Sequence, residues 1–370
     1  MTRFNPKNLS LVAIAASLAM PAAADELKYE NGSGGSVLLY GQLDPAYLSF
    51  DDGVSRTSEV VDNTNSNSRV GLWLRQSYGE NEFTFNFETA LGLRPSAGLS
   101  QNFTPKGVNW QRTSIRKVDF AYRTARYGTF SAGQGSMATD GVATVDLSGT
   151  TVATYASIPF TAGAFRFRTS AGVLSARTIG GAFGSFDGGR LGRVRYDSPG
   201  FNGFTVSASF GEQILAQNVD FETRDIALRY AGEFGDFRVK GAIGYAEIEL
   251  AGGVEREDTI GSVSVLHSSG FNATLASGKR TSAGSYGYGK LGYQAQWFGV
   301  GKTALSVDYY RGSDRVSAGS TSTSYGFGAV QKFDKQRVEA YLGYRTYELS
   351  ETAVSYRDAS SVLFGARWKF

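Results

Sequence analysis

From residue 36 to its last residue the chain alternates apolar and polar side chains with a period of two. That pattern belongs to strands whose two faces meet different surroundings. In 82–93, Phe83, Phe85, Phe87 and Leu91 share one face while Thr84, Asn86 and Glu88 share the other. In 236–248, Phe237, Val239, Ile243 and Tyr245 oppose Arg238 and Lys240, and in 203–212 Phe204, Val206, Ala208 and Phe210 oppose Thr205, Ser207 and Ser209. The segment 286–297 sets Leu291, Tyr293, Ala295 and Trp297 against Lys290, Gln294 and Gln296. Helical periodicity of similar strength is absent. No window after the N-terminus holds 18 apolar residues, so a helical membrane span is excluded.

The alternating segments fall at 36–49, 67–78, 82–93, 113–124, 128–135, 190–198, 203–212, 221–231, 236–248, 256–267, 270–279, 286–297, 303–311, 322–333, 337–347 and 358–370. These sixteen strands are joined alternately by short turns and longer polar loops, the long ones including 50–67, 94–113, 136–189 and 311–321. An even strand number with this asymmetry is the signature of an all-β, antiparallel transmembrane barrel. Inside a membrane every backbone group must be bonded within the protein, so a spanning sheet has to close on itself. Sixteen strands enclose a lumen too wide for side chains to fill. The closing segment agrees, because Val362, Phe364, Ala366, Trp368 and Phe370 alternate with Arg367 and Lys369 to the end. A soluble two-domain β-protein is the alternative.

Residues 1–24 read as an export signal. Arg3 and Lys7 precede an apolar stretch, and Pro21-Ala22-Ala23-Ala24 ends in a small-x-small cleavage pattern. The mature barrel is then 25–370, with a net charge of +1, which argues against a nucleic-acid partner. Zero Cys and a single His, His267, remove thiolate chemistry, disulfides and multi-His metal cages.

Five segments carry a resemblance. They are Leu39-Tyr40-Gly41-Gln42-Leu43-Asp44, Ser68-Arg69-Val70-Gly71, Tyr127-Gly128-Thr129-Phe130-Ser131-Ala132-Gly133-Gln134, Arg195-Tyr196-Asp197-Ser198-Pro199 running on to Phe201-Asn202-Gly203-Phe204, and the terminal Phe370. In order and spacing the chain resembles the trimeric general porins of Gram-negative outer membranes, above all their alphaproteobacterial branch. The resemblance implies a homotrimer in the outer membrane, in contact with lipid and lipopolysaccharide. It implies passive passage of small hydrophilic solutes and ions, and a Phe370 read by the barrel-assembly machinery.

In that family the third external loop folds into the barrel and narrows it, which makes 136–189 the constriction loop. Its acids, Asp140, Asp146 and Asp187, are then expected to face basic groups on the wall. Motif match proposes Arg69 and Arg116 for that wall, and strand parity adds Arg75, Arg193 and Arg195. Arg116 shares the parity of Val118, Phe120 and Tyr122, so either a bulge intervenes or Lys117 is the wall cation. Gln42 stands where some relatives are basic. The loop is long for the family, and part of it, 164–176, is expected to form an extra hairpin or return to the mouth.

Rival readings remain. Arg166, Arg168 and Arg177 in the loop keep open a solute-selective channel for a sugar or an anionic metabolite. A barrel enzyme would need His267, which falls beside a short turn. A surface antigen that binds through its loops is compatible with a pore. Gly287-x-Gly289-x-x-Gly292 lies in a strand with no following helix, so it is no dinucleotide fingerprint. Gly301-Lys302-Thr303 lacks the upstream glycine of a phosphate loop. Asp51-Asp52-Gly53 and Asp62-Asn63 carry oxygen ligands of the kind Ca²⁺ takes, with a plain solvated loop as the other reading.

Overall fold

A computed structural model describes residues 27–370, and the expected export signal at 1–24 lies outside them. The strands are β1 (Leu27–Glu30), β2 (Gly35–Leu43), β3 (Pro45–Asp51), β4 (Arg56–Asp62), β5 (Arg69–Tyr78), β6 (Asn81–Ala90), β7 (Ile115–Thr124), β8 (Gly128–Ser136), β9 (Arg166–Arg168), β10 (Leu174–Thr178) and β11 (Arg190–Asp197). They continue as β12 (Phe204–Glu212), β13 (Phe221–Phe234), β14 (Phe237–Leu250), β15 (Val254–His267), β16 (Phe271–Arg280), β17 (Ser285–Phe298), β18 (Gly301–Ser313), β19 (Thr321–Phe333), β20 (Val338–Ser350) and β21 (Ala359–Lys369). Two single-turn helices, α1 (Pro159–Ala162) and α2 (Ile179–Ala182), lie in the long loop.

All strand pairings are antiparallel: β2 pairs with β5 and β3 with β4, successive strands pair from β5 to β8 and from β11 to β21, and β8 meets β11 across the long loop with Arg190 opposite Ser136. β21 closes the ring against β3 and the end of β2. Counting β2 with β3 and β4 with β5 as single broken staves, the barrel has sixteen strands, as its sequence periodicity requires. Phe370 locks the seam by exchanging backbone hydrogen bonds with Gly41 at 2.9 and 3.1 Å. A side chain at Gly41 would meet the Phe370 ring at 2.5 Å, so glycine is needed there.

The alternation now has a physical cause. On β16, Phe271, Ala273 and Leu275 point outward and Asn272, Thr274 and Ala276 inward, and the same division gives 62–64% exposure to Ile243, Leu275 and Leu291. Rings pair across strands near the short turns: Phe204 with Tyr230, Phe271 with Tyr293 and Phe237 with His267, each pair 4.7 Å apart. His267 therefore belongs to the outer aromatic belt.

Two expectations need correction. The stretch 50–67, read as a long loop, is mostly the hairpin β3–β4, turning at 52–55, followed by a 3₁₀ turn at Thr64–Ser66 that breaks the second stave. The loop-side connections at 251–253 and 281–284 are also tight, so the long excursions are 91–114 and 137–189. The short strand β1, which pairs with Ser36–Leu39 of β2, had no counterpart in the sequence reading.

Candidate functional site

The site begins at the root of the long loop. Arg195 donates to the carbonyls of Met137 (2.8 Å) and Ser136 (3.2 Å), and Arg193 donates to Ser136 (3.1 Å). These bonds turn the chain into the lumen instead of letting it leave the barrel. The first limb then follows the inner wall. Thr139 donates through its amide (2.7 Å) and hydroxyl (2.6 Å) to Asp225 on β13, and Val145 and Leu147 donate to Ser262 and Ser264 on β15. Lys290 on β17 meets Asp146 at 2.6 Å, and Thr150 shares a hydrogen bond with Ser306 on β18. Past α1, the hairpin β9–β10 reaches the mouth at the expected place, and the return limb passes α2. Ser322 there donates to the Ala182 carbonyl (2.6 Å) and Tyr310 to that of Gly184 (2.9 Å).

Behind this return limb lies an apolar core inside the barrel. Phe50 stacks on Phe165 at 4.0 Å, and Phe183 packs on Tyr310 and Tyr347 at 5.3 and 5.8 Å. Each such buried ring contributes roughly 2–3 kcal/mol, so the loop is held as a packed element of the wall.

What stays open is a cavity of about 640 Å³, bounded by loop residues and by Arg69, Arg116 and Arg190. The described lining carries five guanidinium groups, Arg69, Arg116, Arg190, Arg280 and Arg315, against two carboxylates, Asp140 and Asp187.

The structure sorts the expected residues into those at this eyelet and those away from it. Arg69 and Arg116 are both there, holding Glu88 between them at 3.5 and 2.5 Å. The parity puzzle at Arg116 resolves as a bulge. Glu88 faces Lys117 while Thr89 already faces Ile115, which leaves Arg116 as the extra residue and turns both cations inward. Lys117 lies over the Trp73 ring at 5.8 Å, and Arg75 lies over the same ring at 5.2 Å, toward the short-turn end. Asp140 faces Arg190 at 3.7 Å. Asp187 accepts from the amides of Gly141 and Ala143 at 3.0 and 2.8 Å and thereby staples the two limbs together. Burial pushes its carboxyl up to about 7, and the nearby Asp140 charge adds to the rise.

Three expected lumen charges are corrected. Asp146 is 5% exposed and sealed against Lys290, so it offers the lumen nothing. Arg193 is spent on Asp119 at 2.8 Å and Arg195 on Asp197 at 2.7 Å, besides holding the loop root. Arg190, Arg280 and Arg315 were not anticipated. Arg190 shares the parity of lipid-facing Val194 and reaches the lumen from the first rung of its strand, at the loop end. Arg280 ends β16, just past the stretch read as strand, and Arg315 sits in a loop.

The loop cations are also tied, Arg168 to Asp52 at 2.8 Å and Arg177 to Glu351 at 2.7 Å. Asp52 further accepts from Ser55, and Asp62 from Ser68, so these carboxylates are met by protein donors. Among the described residues no three His, Asp or Glu converge as a metal site.

The model of one family, the Gram-negative porins, matches residues 10–352. The chain belongs to that family. No curated protein sequence matches it. Among solved structures, the anion-selective porin from Comamonas acidovorans shares 14% identity at a TM-score of 0.60, covering 91% of this chain and 100% of that one. The outer-membrane expressed OmpT of Vibrio cholerae shares 15% at 0.57, covering 94% and 100%. The outer membrane channel DcaP of Acinetobacter baumannii shares 9% at 0.57, covering 92% and 99%. At these identities the likeness is one of fold. With the family, it makes this porin an outer-membrane channel for passive diffusion of solutes through a water-filled lumen.

Proposed function

We propose that the channel is a homotrimer that favours small hydrophilic anions over cations of the same size. The observation that carries this is the imbalance at the eyelet, where five guanidinium groups line the opening against two carboxylates, one of them with its pKa raised to about 7, and Glu88 and Asp258 behind the wall offset only part of the excess. A permeant ion feels the charges at the narrowest point, since they are screened over roughly 10 Å in ordinary salt. The whole-chain balance therefore says little. The Comamonas porin carries the same preference in its name, and OmpT of Vibrio cholerae has been solved in a trimer form. A channel is favoured over a barrel enzyme because the lone His lies on the outer belt, away from the lumen. Export through 1–24, recognition of Phe370 during assembly and contact with lipopolysaccharide complete the reading.

The test is single-channel conductance in a planar bilayer, with the reversal potential under a potassium chloride gradient. Steps in threes and a reversal potential displaced toward chloride are expected. A value at zero or on the potassium side overturns the anion preference, and single steps overturn the trimer.

A further inference from the structure

Phe186 holds a backbone conformation that its residue type avoids. Its φ is +54°, in the left-handed region where a Cβ crowds the following carbonyl and where glycine is the usual occupant. The neighbours on both sides are anchored. Ser185 hydrogen-bonds Ser157 at 2.8 Å, and Asp187 is clamped by Gly141 and Ala143. The surroundings thus over-determine the turn, and residues held this way gather at functional sites. A glycine would satisfy the backbone, so the presence of phenylalanine points to a use for the ring.

The ring is buried at the edge of the eyelet cavity, with two cations beside it. The Arg315 guanidinium carbon is 4.4 Å from its centroid and that of Arg280 is 4.6 Å away, while Tyr286 meets it edge-on at 5.6 Å. Gly278 leaves room for it, since a Cβ there would stand 3.2 Å from the ring. Two like charges this near to one another repel, and the negative face of an aromatic ring offsets part of that repulsion. Their other partners differ. Arg280 is paired bidentately with Asp258 at 2.6 Å on both bonds. Arg315 donates from its two terminal nitrogens to the carbonyls of Ala283 (2.8 Å) and Phe183 (3.3 Å), and among the described residues its buried Nε has no hydrogen-bond partner and no carboxylate is in contact with it.

We propose that Phe186 is a positioning residue for ion selection, its ring holding Arg315, and Arg280 beside it, at the rim of the eyelet. The inference rests on the anion-preference reading of that eyelet. Without the ring, Arg315 loses its lateral support, swings along the lumen and spreads its charge over water.

The experiment compares reversal potentials of the full-length trimer under a potassium chloride gradient for wild type, Phe186→Leu, Phe186→Gly, Phe186→Tyr and Arg315→Gln. The chloride-over-potassium permeability ratio is expected to fall about twofold in the Leu, Gly and Gln variants, the scale of moving one partly screened charge. The Tyr variant, which keeps a ring face, is expected to match wild type. The Gly variant separates the two roles, because it relieves the backbone and removes only the ring. A merely structural Phe186 predicts wild-type selectivity for it, and that result overturns the proposal. Should Phe186→Leu fail to assemble, the Gly and Gln variants decide. A wild-type channel without anion preference overturns the reading of the eyelet and this inference with it. An anion-selective wild type whose Leu and Gly variants keep the wild-type permeability ratio overturns the inference alone.

Discussion

The inner wall of this barrel has two kinds of surface. From β13 round to β21 and β3 the constriction loop lies against it, and charged side chains there are buried as pairs. Lys290 (0% exposed) meets Asp146, and Arg345 (4%) meets Asp308 at 2.9 Å. Along β5, β7 and β11 the wall is bare toward the lumen, and Arg69, Arg116 and Arg190 line the opening. Both surfaces are built mainly from inward-facing positions of alternating strands, with Arg116 and Arg190 as the exceptions. Under the loop most charges are structural and cancel, with Arg280 and Arg315 left at its edge, whereas on the bare side Arg69, Arg116 and Arg190 stand open for a solute to feel. A charge facing into the barrel is therefore not the same thing as a charge facing the solute.

The largest effect should come from unbalancing the covered side. Lys290→Met leaves the Asp146 carboxylate buried without its cation, a loss of about 3–5 kcal/mol. We expect the barrel to assemble while the first limb of the loop lifts, giving noisy channels with raised conductance and new protease cuts within 137–157. The double variant Lys290→Met/Asp146→Leu removes both charges and should recover most of the quiet, wild-type conductance. Quiet channels in the single variant would show that the pair does not hold the loop.

On the bare side the ion preference should respond. Arg69→Gln/Arg116→Gln removes two lumen cations and frees Glu88, which they hold between them. A change of about 1 kcal/mol in the potential felt by a permeating anion corresponds to roughly fivefold in permeability ratio. The reversal potential should move toward potassium by that amount, and the unfolding temperature should fall because Glu88, 8% exposed, loses its cations; adding Glu88→Gln should restore the temperature. Arg345→Gln, on the covered side, should lower stability and leave the reversal potential unchanged.

A smaller effect tests the seam between the two surfaces. Asp187, raised to about 7 by burial and by Asp140, is protonated below that pH and ionised above it. Asp140 and Arg190 face the same opening, and Arg229 approaches from β13, donating to the Asp140 carbonyl at 2.9 Å. Lowering the pH from 8 to 6 therefore makes the eyelet more positive, and anion preference should rise about twofold. Because the carboxyl is raised above its unfolded value, loop stability should also rise as pH falls through 7. Asp187→Asn should show the low-pH selectivity at both pH values. A pH response that survives in this variant would assign the titration elsewhere.

Most of the fold was legible because a membrane barrel writes its two environments into a period of two. The stave that was misread shows the limit of that signal. In β4, Val60 and Val61 are adjacent, and Glu59 on this strand meets Arg94 of the neighbouring loop at 2.7 Å. Protein covers both of its faces, so no alternation was required. The site was less legible for a related reason. Which loop acid meets a wall cation depends on a contact spanning 144 residues, as between Asp146 and Lys290. Parity likewise fails at a bulge, as at Arg116, and at a strand's first rung, as at Arg190.

The smallest effect belongs to the mouth, where charge is present but already matched. Arg177 holds the extra hairpin to Glu351, and its hydrogen bonds keep that carboxyl down at about 2. Arg177 is itself more than a third exposed, so solvent screens the pair and its contribution falls below about 1 kcal/mol. The hairpin keeps two other ties, Arg168 to the buried Asp52, and Arg357 to the Ser170 carbonyl at 3.0 Å. Arg177→Gln should therefore leave conductance and reversal potential unchanged. A depressed carboxyl lends its stability above the unfolded pKa of about 4.5 and loses it as pH falls toward 2. Any difference between variant and wild type, read as protease nicking at 169–173, should thus appear near neutral pH and vanish in acid. A shift in reversal potential as large as that of the Arg69/Arg116 variant would mean that the mouth selects too, and the division between matched and unmatched charge would have to be redrawn there.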